Sequence, residues 1–141
     1  MTVPSWVAQQ PSAFDIVACY FPEKDVTDGG EIFKLRPALV LKVLKGKNTG
    51  SIACEVAYGT KNLKFVQRKN RDVIIQNAAD LTIIGLAMAT RFDLDNTLIL
   101  PWSEKFFGCW TGYQHPKIGQ LTEKYVKDYA YTMMLRQGIN D

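Results

Sequence analysis

The chain has 141 residues, of which 47% are hydrophobic and 22% are charged. This length fits one domain covering residues 1–141, and this composition excludes the class of disordered, highly charged chains. The formal net charge of +3 at pH 7 permits a nucleic-acid partner without requiring one.

The three cysteines and the single histidine lack the grouped spacing of a zinc site. Cys19 and Cys54 lie in apolar runs, where a free cysteine behaves as a small hydrophobic residue. We therefore expect no metal, no cofactor and a cytoplasmic location. The N-terminus has no signal-peptide pattern and no apolar window reaches membrane-spanning length, so we expect neither secretion nor membrane insertion.

The first third of the chain predicts two strands and a long connection. Residues 1–12 form an irregular lead-in, and residues 14–21 predict a strand that Pro22 ends. The connection over residues 23–35 is polar and contains glycine. A connection of that length between two strong strands is more often functional than accidental.

The pair Arg36-Pro37 leads directly into an apolar strand at residues 38–45. Proline at a strand start fixes the backbone and removes one donor, which suits the edge or mouth of a β-structure. A glycine-bearing turn at residues 46–50 then connects this strand to a second one at residues 51–58, and residues 59–62 predict another turn.

The remaining strands are short. Residues 73–75 predict one, and residues 97–100 predict another that Pro101 closes. The apolar residues 81–89 fit either a strand or a packed loop, and Gly85 argues against a helix. Short, closely spaced strands with few helices indicate a mainly β fold, either a small barrel or a sandwich.

The C-terminal part differs in its periodicity and predicts an α-helix over residues 116–137. Its apolar side chains recur at steps of three and four, and Gly138 is a plausible stop. We expect this stripe to pack on the β-structure. The stripe consists of Ile118, Leu121, Tyr125, Tyr129 and Met133.

Four polar residues lie at or near predicted strand ends: Arg36, Thr60, Arg91 and Asp93. RNA can be cut without a metal when its 2′-hydroxyl attacks the adjacent phosphate, which needs a base, an acid and donors for the phosphoryl oxygens. Asp93 could serve as the base and Arg91 as an acid or charge stabiliser. The alternative is that Arg91 and Asp93 form an ordinary solvated pair.

The order of these motifs resembles the MazF/PemK (Kid) toxin family. An acidic residue begins the first strand, an Arg-Pro strand follows a glycine-bearing loop, the third strand ends in a polar segment with threonine, and an Arg-x-Asp segment comes later. The matching segments are Phe14-Asp15-Ile16-Val17 with Phe21-Pro22, then Arg36-Pro37-Ala38-Leu39-Val40-Leu41, Val56-Ala57-Tyr58-Gly59-Thr60 and Arg91-Phe92-Asp93.

The resemblance implies an SH3-like small β-barrel with a C-terminal helix, usually a homodimer. It implies a metal-independent endoribonuclease toxin of a type II toxin-antitoxin system, which cleaves single-stranded RNA and is neutralised by a cognate antitoxin. Arg36 would stabilise the phosphate and Thr60 would supply a hydroxyl. Arg91 and Asp93 would carry over as the acid and the base.

Substrate-binding residues are expected beside this site. Glu31 stands five residues before Arg36, as a glutamate does in some family members. A basic run after Thr60 could track the RNA backbone, although such runs are usually solvated faces. We expect Lys61, Lys64 and Arg68 of this run to bind substrate.

Residues 102–113 look like an aromatic insertion relative to the family. Exposed aromatic rings can stack on the bases of single-stranded RNA. Packing against the helix or in a dimer interface is the favoured interpretation, because large aromatic side chains are usually buried anchors. The residues are Trp102, Phe106, Phe107, Trp110 and Tyr113.

Two other functions stay open. The gyrase poison CcdB shares this fold without being a nuclease, and a fold does not determine a function. The C-terminal aromatic end associated with that role is absent from residues 138–141. The third possibility is an inactive module that binds RNA or a protein partner.

Overall fold

The computed structural model describes residues 2–24, 31–63 and 72–138, without the side chains of residues 22–24 and 31–32. Within these ranges the protein is mainly β, with a curled, antiparallel, six-stranded sheet and a C-terminal helix. The sheet order is β4-β5-β3-β2-β1-β6. The strands are β1 (Asp15–Lys24), β2 (Glu31–Lys45), β3 (Ile52–Thr60), β4 (Val73–Ile75), β5 (Thr90–Pro101) and β6 (Lys117–Gln120).

The first two strands are longer than the sequence predicts. The prediction of a long loop over residues 23–35 is therefore wrong, because β1 extends to Lys24 and β2 begins at Glu31. β1 continues through Pro22, which stands opposite Phe33 of β2. The backbone N–H groups of Ala18 and Tyr20 point away from β2, toward the carbonyl oxygens of Pro116 and Phe106. Two residues further on, the nitrogen of Pro22 faces that same outer side, so its missing N–H removes no bond between β1 and β2.

The hairpin formed by β2 and β3 is confirmed, with its turn at residues 46–50. The N–H of Gly46 donates to the carbonyl of Ser51 across the turn. Gly50 adopts a φ of 69°, a left-handed conformation that glycine accommodates without a steric penalty.

The predicted C-terminal helix is correct only from residue 123 onward. Residues 117–120 form β6, which pairs with β1, and the helix α2 is Glu123–Arg136. Gly119 allows β6 to lie in this position. Its Cα packs against Ile84, at the end of a short helix earlier in the chain, where any Cβ atom would overlap the carbonyl oxygen of Ile84. The apolar stripe on α2 packs against the sheet as expected, with Tyr125 buried in the core.

The apolar residues 81–89 divide between a helix and a loop. The loop over residues 85–89, with Leu86 buried in the core, agrees with one of the two predicted forms, whereas residues 81–84 are helical, which neither form allows. The helix α1 (Ala78–Ile84) begins after Asn77, whose side chain accepts the N–H groups of Ala79 and Asp80. Gly85 ends this helix with a φ of 98°. Gly85 is therefore the C-terminal cap of a short helix and not evidence against one.

Two hydrophobic cores lie on opposite faces of the sheet, because neighbouring strand residues point to opposite sides. One core contains Ile16 and Leu39 and is covered by α1 and α2. The other contains Val17 and Val40. It is covered by Trp6, from a 3-10 turn at Ser5–Ala8, and by side chains from residues 102–107.

Two of the cysteines belong to this second core, as their apolar surroundings in the sequence predict. Cys19 and Cys54 are both free and buried. Burial, with a smaller effect of Cys54, raises the pKa of the Cys19 thiol to about 12, and burial raises that of Cys54 to about 11. Both thiols therefore stay protonated at neutral pH. In the described ranges, no helix has the length and apolar character needed to cross a membrane.

Candidate functional site

The sheet splits between β2 and β3 at Pro37. β2 remains paired with β1 from Leu39 back to Glu31, and β3 remains paired with β5 as far as Thr60. The ladder between β2 and β3, however, ends at the pair Ala38 and Tyr58. Beyond that pair the two strands form the walls of a cleft.

Proline explains where the split occurs. Pro37 stands opposite Ala18, whose N–H points away from β2. In an antiparallel ladder such a pair is not hydrogen bonded, so the nitrogen of Pro37 is on the side of β3. Because proline has no N–H to donate, the ladder with β3 stops there. The sequence predicts this proline at the start of a strand, and that prediction is wrong, because β2 begins six residues earlier, at Glu31. The missing donor of Pro37 acts inside the strand instead, where it ends the pairing with β3.

The register between β3 and β5 brings the predicted catalytic residues together. Thr60 stands opposite Arg91, and Tyr58 stands opposite Asp93. Residues paired across an antiparallel ladder point to the same face, and so do residues two apart on one strand. The four side chains therefore share one face of the sheet.

Arg91 is buried and fixed in position by two groups. Its Nε donates to the carbonyl oxygen of Asn62 at 3.1 Å, and its Nη1 donates to a carboxylate oxygen of Asp72 at 2.9 Å. Only 8% of the Arg91 side chain is exposed, and the Asp72 side chain is fully buried. The other oxygen of Asp72 accepts the backbone N–H of Leu94. Asp72 thus neutralises the charge of Arg91 and fixes the orientation of its guanidinium group.

Asp93 lies next to this pair, at an irregularity in β5. One of its carboxylate oxygens accepts the backbone N–H of Asp95 at 2.9 Å, and the other accepts the side-chain amide of Asn96 at 2.7 Å. The second oxygen is 3.8 Å from Nη1 of Arg91. Asp93 is therefore a carboxylate held beside a fixed cation, with part of its surface open to a cleft.

We name the cleft that contains these residues the arginine cleft. It has a volume of about 530 Å³. Its lining residues are Phe21, Tyr58, Thr60, Arg91, Asp93, Asp95, Asn96, Thr97 and Leu98.

A second cleft occupies the split between β2 and β3, and we name it the aromatic cleft. Its volume is about 510 Å³. Tyr58 and Thr60 line both clefts, so the two are neighbours on either side of the end of β3. The lining residues of the aromatic cleft are Leu35, Arg36, Pro37, Tyr58, Gly59, Thr60, Lys61, Gly85, Leu86, Ala87, Met88, Thr90, Trp110, Tyr113 and Ile118.

The structure thus divides the predicted site residues between two clefts. Arg91 and Asp93 line the arginine cleft, Arg36 and Lys61 line the aromatic cleft, and Thr60 lines both. The Thr60 hydroxyl oxygen accepts the N–H of Asn62 at 3.1 Å, and the hydroxyl keeps a proton that it can donate.

The side chains of the other predicted substrate-binding residues lie outside the described part of the structure. The backbone of Glu31 begins β2, but its side chain lies outside the described part of the chain. Lys64 and Arg68 also lie outside the described residues, as do Lys69 and Arg71 of the same basic run.

Sequence reasoning missed Asp72 and Tyr58. Asp72 follows a basic run and comes 19 residues before its partner Arg91, so no local pattern relates the two. Tyr58 carries a usable signal, since it stands two residues before Thr60 on the same strand and must share its face.

The described residues contain no cluster of three or more His, Cys, Asp or Glu side chains that could hold a metal ion. No protein-family model matches the sequence, and a comparison with curated proteins finds no match either.

Proposed function

We propose that this protein is a cytoplasmic, metal-independent endoribonuclease of the MazF/PemK type, built on an SH3-like β-barrel, that cleaves single-stranded RNA as the toxin of a type II toxin-antitoxin system. The observation that carries the proposal is the register between β3 and β5. It places Thr60 opposite Arg91 and Tyr58 opposite Asp93, in one cleft.

The proposed reaction needs no group beyond RNA, water and these side chains. Asp93 accepts the proton of the 2′-hydroxyl while the 2′-oxygen forms a bond to phosphorus. The bond between phosphorus and the 5′-oxygen breaks, and the departing oxygen takes up a proton from water. The hydroxide that remains takes the proton from Asp93, which returns the site to its starting state. The products are a 2′,3′-cyclic phosphate and a free 5′-hydroxyl end.

Arg91 is best suited to stabilising charge in this reaction. A guanidinium group keeps its proton in proteins, so it is a poor proton donor but a good partner for phosphoryl oxygens. Asp72 and the carbonyl of Asn62 hold the group in one orientation before substrate arrives. A donor that is already oriented does not have to reorganise as negative charge develops. Thr60 adds a neutral donor at the same level of the sheet.

The proposal includes two partners that follow from the family resemblance. The chain would act as a homodimer, and a cognate antitoxin would neutralise it. A small acidic protein encoded beside it, together with a dimeric mass in solution, would support this part of the proposal.

One observation favours a second candidate, an RNA-binding module without activity. The Arg91 guanidinium already binds the buried carboxylate of Asp72, and both oxygens of Asp93 accept hydrogen bonds from its own strand. A structural role for both residues would leave a cleft that binds RNA and does not cut it. Binding that weakens with salt, without any product, would identify this function.

The deciding experiment is cleavage of single-stranded RNA in the presence of EDTA. Asp93→Asn keeps the size of the side chain and removes the base, so we expect the rate to fall by about 100-fold or more. Asp128→Asn is the control, because Asp128 is an exposed carboxylate on α2 that lines neither cleft. We expect it to cut RNA at close to the wild-type rate.

A second variant tests the role of the arginine. Arg91→Lys keeps the positive charge beside Asp72 and loses the planar group, so we expect folded protein with slow cleavage. Thermal unfolding shows whether each variant is folded. Absence of any cut by the wild-type protein, or normal cutting by Asp93→Asn, would overturn the proposed reaction.

A further inference from the structure

We propose that the aromatic cleft binds one unpaired nucleobase of an RNA strand whose adjoining phosphate lies in the arginine cleft. This inference rests on the proposed function in one respect, namely that the ligand is single-stranded RNA. It adds a recognition site that the reaction itself does not need.

The aromatic insertion divides into two parts with different surroundings. Trp102 and Phe107 are buried in the second core, where Trp102 packs against Trp6 at a centroid distance of 5.0 Å. Phe107 also forms a backbone bridge to Cys19 of β1. The favoured interpretation, packing, is correct for these two residues, although they pack on the sheet and not on α2.

Trp110 and Tyr113 belong to the other part and line the aromatic cleft. The N–H of Tyr113 donates to the carbonyl of Trp110 at 2.9 Å, and Gly112 between them has a φ of 89°. This turn is anchored by the buried residues before it and by Pro116 after it, whose carbonyl accepts the N–H of Ala18. Tyr113 is 48% exposed. Two aromatic side chains are thus held at the rim of a cleft by a fixed backbone.

The rest of the cleft suits a flat, mostly apolar ligand with a charged attachment. Leu35 and Leu86 contribute apolar wall, and Met88 lies at its exposed edge. Small-molecule sites combine such walls with a few polar groups and have volumes of about 300 to 1,000 Å³. The volume of about 510 Å³ falls within this range. Arg36 and Lys61 add positive charge to the lining, which suits a phosphodiester chain.

The two clefts are neighbours, and this favours an RNA strand as the ligand over an unrelated small molecule. Thr60 lines both clefts and stands opposite Arg91. A strand crossing Thr60 would therefore place a phosphate beside Arg91 and a neighbouring base in the aromatic cleft. Proteins that read single-stranded RNA commonly do so by separating bases from one another and stacking them on aromatic side chains.

The site also has a definite origin in the sequence. Pro37 ends the β2–β3 ladder and so allows the cleft to form, and Gly59 on the opposite wall lets the two walls approach closely at that point. A Cβ atom at Gly59 would lie 2.6 Å from the carbonyl oxygen of Pro37. This is closer than side-chain carbons approach backbone oxygens, so any larger residue would force the two walls apart and change the shape of the cleft.

The test is a binding titration with a single-stranded oligonucleotide whose riboses are all 2′-O-methylated, so that it cannot be cut. We expect Trp110→Ala and Tyr113→Ala each to weaken binding by about 5- to 150-fold, the range that base–aromatic stacking gives. Tyr131→Ala is the matched control, because Tyr131 is an equally exposed tyrosine (53%) on α2, outside both clefts. It should bind like the wild type.

A series of oligonucleotides, each lacking one base, identifies the bound base. We expect one position at which loss of the base weakens binding to the wild-type protein, and at which Tyr113→Ala shows no further loss. Unchanged binding by both aromatic variants would overturn the inference, even if Asp93→Asn still abolished cleavage. Base-dependent binding without any cleavage would support it while overturning the proposed reaction. Failure of the wild-type protein to bind the oligonucleotide would overturn the inference alone, because cleavage of unmodified RNA decides the proposed reaction.

Discussion

The two halves of β5 show opposite relations between residue type and burial. In the first half, residues 90–94, Thr90 and Arg91 are buried together with Phe92. In the second half, residues 97–101, Leu98 is 45% exposed and Ile99 is 61% exposed. Polar side chains are thus inside where apolar ones would be expected, and apolar ones are outside.

Neighbouring elements account for the difference. The first half pairs with β4 on one side and β3 on the other, whereas within the described residues the second half pairs with β3 alone. The polar half is tolerated because Asp72, just before β4, brings a carboxylate to Arg91. Burial in this strand therefore depends on which elements lie beside it and not on its own residue types.

The largest effect is expected at Asp72. Asp72→Ala removes the carboxylate that neutralises Arg91 inside the protein, and breaking a buried ion pair on one side costs about 3 to 5 kcal/mol of unfolding free energy. Urea unfolding measures the loss. Asp128→Ala is the control, because Asp128 is an exposed carboxylate on α2, and it should change stability by less than about 0.5 kcal/mol.

The double variant Asp72→Leu, Arg91→Leu sharpens this prediction. Replacing both partners of a buried pair by apolar residues is often neutral for stability. We therefore expect the double variant to be more stable than Asp72→Ala and to lack RNA cleavage. A loss below about 1 kcal/mol for Asp72→Ala would show that the pair does not hold the first half of β5 in place.

A smaller effect is expected at Arg136, which joins the end of α2 to the irregularity between the two halves of β5. Its Nη2 donates to the carbonyl oxygen of Leu94 and to the carboxylate of Asp95. Arg136→Met keeps the apolar stem and removes these bonds, at an expected cost of about 1 kcal/mol of unfolding free energy.

Lys127→Met is the matched control for Arg136→Met. Lys127 also lies on α2 and forms an ion pair with Glu123, but its side chain is 75% exposed. Such pairs contribute at most a few tenths of a kcal/mol. Equal losses for the two variants would mean that the contact of Arg136 with β5 is no stronger than a surface ion pair.

The parts of the fold that the sequence predicts are those governed by local patterns. The hairpin around residues 46–50 has two mostly apolar strands joined by a glycine-bearing turn, and α2 has a clear apolar stripe. The boundary of α2 could not be predicted, because Ile118 fits a helical stripe as well as β6. Only the pairing of β6 with β1, about 100 residues earlier in the chain, decides between them. The sequence analysis does not predict the helix α1, because its 7 residues are too few to show a helical apolar period. Its sequence signal is instead the N-terminal cap at Asn77.

The candidate site shows the same limit. Residue types and the Arg-Pro motif identify Arg36, Thr60, Arg91 and Asp93 as candidates. Their distribution between two clefts depends on the strand register and on the break in pairing at Pro37, both of which are long-range properties. The role of Asp72 could not be predicted for the same reason, since its ion pair with Arg91 forms only when β4 pairs with β5.

The smallest effect is expected in the second half of β5. Ile99→Lys replaces an exposed apolar side chain by a charged one, and surface substitutions of this kind usually change stability by less than about 0.5 kcal/mol. The charge would also discourage pairing of this half with a strand from another chain. Urea unfolding and the mass in solution should be measured together. Unchanged stability with an unchanged mass would mean that this half is solvated, as its exposure indicates. A large loss of stability, or a change from dimer to monomer, would mean instead that a second copy covers it, and the contrast with the first half would then disappear in the assembled protein.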